Sequence, residues 1–256
     1  ASLGLPLDKV RLVLSGVGGA FGGKEDLNVH IHACLLALAT GRPVRMSYSR
    51  EESFYGHVHR HPATARVELG ARRDGTLVFS RVRLVLDGGA YTSTSQIVIA
   101  NASYFAAGAY ACPNVEIDGY ATYTNNPPCG AMRGFGAVQS CYAIESAMDR
   151  LSVELGLHPV DLRLRNALTE GDVLPTGQTV DGPVPVRELL VHLRDLVLPE
   201  EPGPATLDAR ARPGGVGNTT HGEGIRRGIG YALGMKAIGF SGGVDDSSTA
   251  RGTLWI

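Results

Sequence analysis

Cysteine is scarce in this sequence, and its copies stand apart. Cys34, Cys112, Cys129 and Cys141 are the only four in 256 residues, and no two form a CxxC pair. The chain therefore lacks the close thiolate spacing from which structural zinc and iron–sulfur sites are built. So few cysteines in a chain of this length also argue against a disulfide framework and for a reducing, cytoplasmic setting. An excess of one charge is missing too. The formal net charge of −1 gives no electrostatic ground for nucleic acid or an anionic membrane as partner. No run of 18 apolar residues offers a membrane-spanning helix, and no charged-then-apolar signal stretch opens the chain. What is abundant is glycine: 34 residues, about twice the usual share. Backbone freedom on that scale serves sharp turns and loops that approach a ligand closely.

The length suits one large domain or two smaller ones. KVRLVLS at 9–15 reads as a short strand feeding the loop GGAFGGKE at 18–25. A helix is expected from Leu27 to Thr40, with Asp26 as its N-terminal carboxylate, Gly41 and Pro43 as its stop, and Leu35, Leu36 and Leu38 buried. Residues 43–49 and 65–71 are strand-like, and Asp74-Gly75 turns the chain into LVFSRVRLVLD. A second glycine-rich loop, NNPPCGAMRGFG at 125–136, precedes the most regular helical pattern in the chain. Cys141, Ile144, Met148, Leu151 and Leu155 recur there at steps of three and four, closed by Gly156. Pro159 opens a further helix to about Leu168, and 186–198 another. Residues 199–224 are rich in Pro, Gly and small polar residues and read as a linker or mobile loop. An opening without Met and a close on a strand-like GTLWI read as a chain cut at both ends.

The loop GGAFGGKE nearly spells a phosphate-binding P-loop, but Glu25 stands where a hydroxyl should hold magnesium, and its charge would repel nucleotide phosphates. Each glycine loop is expected to open into a helix, so that free N–H groups and the positive helix end converge on an anion site. His57, His59 and His61 alternate and would share one face of a strand; without a carboxylate or cysteine to complete a metal set, structural hydrogen bonds are the expected role. Asp87-Gly88-Gly89-Ala90-Tyr91 reads as a bulge or strand end that could wall a pocket, and Arg226-Arg227 as a solvated pair.

GGAFGGKED, GRPVRMSYSREE, RHP, DGGAY, TNNPPCGAMRGFG and DLRLRNAL, in that order, resemble the molybdenum-binding subunit of the xanthine dehydrogenase/aldehyde oxidase family, most of all its bacterial xanthine and hypoxanthine dehydrogenase members. The resemblance implies an α+β fold of mixed sheets flanked by helices, with 1–198 part of a first molybdopterin-binding domain and 225–256 the start of a second. It implies a molybdenum–molybdopterin cofactor that no protein side chain ligates, with 2Fe-2S clusters and FAD on partner subunits or domains, and an oligomer when intact. The implied reaction is hydroxylation of a carbon next to nitrogen or oxygen, with water as the oxygen source. Phe21, Gly22 and Arg133 match cofactor-side positions, and Glu25, Asn101 and Phe135 match substrate-side ones. Asn101 stands where animal xanthine enzymes carry an arginine. The family's catalytic glutamate lies downstream of this region, so no catalytic residue is expected in this chain, and the fragment alone should be inactive. Gly134 replaces the cysteine of the carbon monoxide-oxidising branch. The rival readings are a nucleotide-binding P-loop domain and a non-catalytic scaffold.

Overall fold

The structure, a computed structural model, describes residues 2–16, 18–196 and 230–236. The expected linker 199–224, the Arg226-Arg227 pair and, apart from 230–236, the expected second domain lie outside the described residues.

A small mixed sheet anchors the fold. Its strands β1 (Ala63–Ala71), β2 (Leu77–Gly89) and β3 (Val115–Tyr123) lie in that order, with β1 antiparallel to β2 and β2 parallel to β3. The hairpin turn closes where Asp74 Oδ1 accepts from Thr76 N. The apolar residues of β2, Leu77, Phe79, Val82, Leu84 and Leu86, alternate imperfectly, and the cause is local: the register shifts at Gly70/Ala71, so Ala71 pairs with Leu77 while Gly70 pairs with Phe79. The extra residue, Val78, changes the phase, so Leu77 is buried while Phe79 shares the open face with Arg81 and Arg83, opposite the buried Ser80, Val82, Leu84 and Leu86.

Parallel neighbours need a crossover, and α3 (Ser95–Tyr104) supplies it, packing on β2 and β3. α4 (Ala137–Leu155) lies across β1 and ends on Gly156 in the left-handed region, and Pro159 then begins α5 (Pro159–Asn166) at its first turn. Ile144 and Met148 are fully inside, as the helical spacing predicts. α6 (Val186–Asp195) packs on α5 and contributes the buried Leu190. Between α4 and α5 sits an ionic cluster. Arg163, 0 % exposed, donates from Nε to Glu145 Oε2 at 2.9 Å and from Nη2 to Asp149 Oδ1 at 2.8 Å. Tyr110 donates to the other Glu145 oxygen at 2.6 Å, and burial together with that carboxylate raises its pKa far above the usual phenol value.

The N-terminal region departs from expectation. Residues 10–16 form no strand, nor do 43–49; a strand needs a ladder partner, and none of the described residues offers one. α1 (Val29–Thr40) begins after Asn28 rather than after Asp26 and stops at Gly41 as expected, yet Leu35, Leu36 and Leu38 are exposed. α2 (Arg50–Gly56) has a capping box between Ser49 and Glu52. None of the described residues from 2 to 56 is buried. Among the described residues, no helix is long and apolar enough to cross a membrane.

Candidate cofactor and substrate site

Two loops far apart in sequence meet at one point. Gly22 lies so close to the second loop that a Cβ there would sit 2.6 Å from the carbonyl of Ala131 and from Met132 N, and its φ is +89°. Only a glycine allows both the contact and the conformation. The first loop is pinned from the other side by His57, whose Nε2 lies 2.7 Å from Gly23 O.

The second loop is stitched on both flanks. Asp87, at the irregular end of β2, accepts from Thr124 Oγ1, Gly89 N and Asn126 Nδ2, and Thr124 first among these lowers its pKa. Cys129 N donates to Gly88 O, and Gly130 N donates to His59 O. Arg60 reaches the tip, donating from Nη2 to Arg133 O at 2.7 Å. Beyond the tip, Gly136 holds φ +92° where any side chain would collide with Val98 O on α3, and α4 starts immediately after it.

Backbone strain gathers here. Among the described residues, three non-glycines have positive φ: Phe21 at 52°, Ser93 at 40° and Phe135 at 50°. Phe21 is in the first loop and Phe135 in the second. Ser93 joins the same neighbourhood through Asp26, whose Oδ1 accepts from Ser93 Oγ at 2.9 Å and whose Oδ2 packs where a Cβ on Gly130 would fall. Such conformations are costly and persist where surrounding structure holds them, typically at functional sites.

The six residues singled out from sequence divide by environment. Phe21 is 65 % exposed, and the Arg133 guanidinium stands over its ring at 5.6 Å. Arg133 is exposed, and among the described residues no carboxylate pairs with it. Glu25 is also exposed, and Phe135 is half-buried. Asn101 is 5 % exposed, and both ends of its amide are engaged: Nδ2 donates to Phe135 O at 2.5 Å, and Oδ1 accepts from Lys236 Nζ at 3.1 Å. Asn101 thus reaches the site through Phe135. A guanidinium without a carboxylate partner, stacked on an exposed ring, suits a flat anionic group. That exposed guanidinium fits the implied pterin cofactor, which is flat and carries negative charge.

The alternating histidines do not share a ligand set. His57 closes α2 and holds Gly23, His59 bridges to Cys129, and His61 is buried with Nε2 2.8 Å from Ser95 Oγ. The P-loop alternative fails on geometry: among the described residues no strand precedes GGAFGGKE, and α1 begins only at Val29. For the same reason the first loop does not open directly into a helix, while the second does. Ser93, Arg60 and Lys236 are not legible in the sequence as site residues; each acts across a long sequence separation, and only RHP places Arg60 near a recognisable motif.

The molybdopterin cofactor-binding domain family matches residues 1–167. The nicotinate dehydrogenase large molybdopterin subunit of Eubacterium barkeri is 42 % identical over 193 residues, covering 75 % of this chain and 45 % of its own length. The xanthine dehydrogenase molybdenum-binding subunit of Escherichia coli O157:H7 is 38 % identical over 181 residues, covering 70 % of this chain and 24 % of its own. Among solved structures, the aldehyde oxidoreductase of Desulfovibrio gigas superposes with a TM-score of 0.65 at 32 % identity, over 69 % of this chain and 19 % of that one. The chain therefore spans less than half the length of these relatives.

Proposed function

This chain belongs to the molybdopterin cofactor-binding domain family, as part of a molybdenum-binding subunit of the xanthine dehydrogenase type, and we propose that its two glycine loops form one wall of a hydroxylase active site. The observation that carries the reading is the meeting of the loops at Gly22 and Ala131, with Phe21 and Phe135 both held at positive φ beside it. The substrate is a flat nitrogen heterocycle of the xanthine, hypoxanthine or nicotinate kind, or an aldehyde.

Phe21, Gly22 and Arg133 face the cofactor. Arg133 would offset its negative charge, and the side-chain-free backbone at Gly22 lets the two loops close against each other. When bound, the molybdenum–molybdopterin group supplies the redox chemistry that adds oxygen from water to a carbon next to nitrogen or oxygen. Where the substrate is a xanthine- or hypoxanthine-like purine, Glu25 accepts a hydrogen bond from a ring N–H, which orients the carbon to be hydroxylated. Phe135 stacks on or stands edge-on to the ring, and Asn101 serves the substrate side by holding Phe135. The general base comes from outside this chain, and in a cytoplasmic oligomer 2Fe-2S and FAD partners would supply the electron-accepting chemistry. Residues 1–198 belong to the first cofactor-binding domain, and 225–256 begin the second.

Paired variants of the full-length protein with its partner subunits test the assignment. Glu25→Gln should cost roughly 1.5–3 kcal/mol of transition-state stabilisation, read as a fall in kcat/KM, with molybdenum content unchanged. Arg133→Ala should instead lower molybdenum content. If Glu25→Gln lost molybdenum while kinetics per metal stayed normal, the division of roles would be wrong.

A further inference from the structure

A short segment distant in sequence reaches the second glycine loop. Residues 230–236 lie along α4, where Leu233 is buried, its N–H donates to Glu145 Oε2 at 2.9 Å, and Cys141 Sγ lies 3.2 Å from its carbonyl oxygen. Glu145 is itself fixed by Arg163 and Tyr110. From this anchor Lys236 extends to the site. Its Nζ stands 5.2 Å from the centre of the Phe105 ring and donates to Asn101 Oδ1.

We propose that Lys236 and Asn101 form a strut that sets the pose of Phe135, which makes both of them positioning residues for substrate selection. An ammonium has only donors to offer, so Lys236 fixes which end of the Asn101 amide is the oxygen. The other end must then be the NH2 group, aimed at Phe135 O. That single donor holds the carbonyl of a residue at φ +50° between two glycines at φ +92°. A loop with two glycines has little stiffness of its own, so its pose depends on what grips it. The consequence for selection rests on the reading that Phe135 contacts the substrate ring; the consequence for the loop does not.

Three substitutions in the full-length holoenzyme test the strut by amide hydrogen exchange over 132–137 and by KM. Asn101→Asp keeps an acceptor for Lys236 but removes the donor to Phe135, and Lys236→Met keeps the alkyl stem over Phe105 but removes the ammonium. Each should speed exchange in 132–137 by about tenfold, the equivalent of one lost hydrogen bond. Exchange in α5 should not change. Lys236→Arg retains a donor and should restore native exchange. Where xanthine or nicotinate is turned over, the first two variants should raise KM more than they lower kcat. Exchange over 132–137 within about twofold of native in both Asn101→Asp and Lys236→Met would overturn the strut. Phe135→Ala separates the two claims: if it leaves KM untouched, the stacking role of Phe135 fails, while the exchange measurement still decides the strut.

Discussion

His61 shows at the scale of one residue how a polar side chain is spent on structure beside a site. It is 2 % exposed with its Nε2 against Ser95 Oγ, and burial holds its pKa below 6.5, partly offset by the Asp87 carboxylate. The unfolded chain therefore takes up this proton first as the pH falls through about 6.5. Stability from His61 is complete above that value and declines below it, until the folded state also protonates. Denaturation midpoints of the full-length protein should fall from pH 7.5 to pH 5.5, and His61→Gln, which cannot titrate, should flatten that fall. An unchanged slope in the variant would remove His61 as its source. The sequence HVHRH points to hydrogen bonding over metal binding for these histidines. It carries no sign of the partners Gly23 and Ser95, which lie 34 residues away in each case.

At the scale of elements, legibility tracks how local the cause is. The α4 stripe, the Gly156 stop, Pro159 at the head of α5 and the Asp74-Gly75 turn are set by neighbours in sequence, and all are readable there. KVRLVLS and the leucines of α1 are not, because a strand needs a partner and an apolar face needs a cover. The described residues supply neither. The buried Arg163 cluster is likewise invisible, since DLRLRNAL reads as a polar helix end. Removing Arg163 leaves Glu145 as a buried carboxylate short of its cation, and Arg163→Ala should cost about 3–5 kcal/mol. For a domain of this size that lowers the thermal midpoint by well over 5 °C, so a drop under about 2 °C would show that the cluster is not a fixed element of the core. Because Glu145 also holds Leu233 N, the same variant should loosen residues 230–236.

The whole molecule is unevenly finished. The sheet with α3 to α6 has a closed interior, while Leu7, Leu12, Val13 and Leu14, with the α1 leucines, leave apolar surface open on the N-terminal side. The chain spans 45 % and 24 % of two relatives it matches, and only one wall of the proposed site can be assigned to it. The 256-residue chain purified alone should therefore bind an apolar dye and lack stoichiometric molybdenum; a full complement of metal in it would show that one wall suffices. The family motifs make the paired loops legible, but their contact is not, because it depends on the fold bringing residue 22 against residue 131. The most direct test of that contact is the molybdenum and pterin content of the full-length protein carrying Gly22→Ala. A methyl group there must push Ala131 away and adopt φ +89°, so the loops should part and molybdenum should fall well below that of the unsubstituted protein while the subunits still assemble. Native molybdenum and pterin content in Gly22→Ala, or none in the unsubstituted protein, would contradict the account.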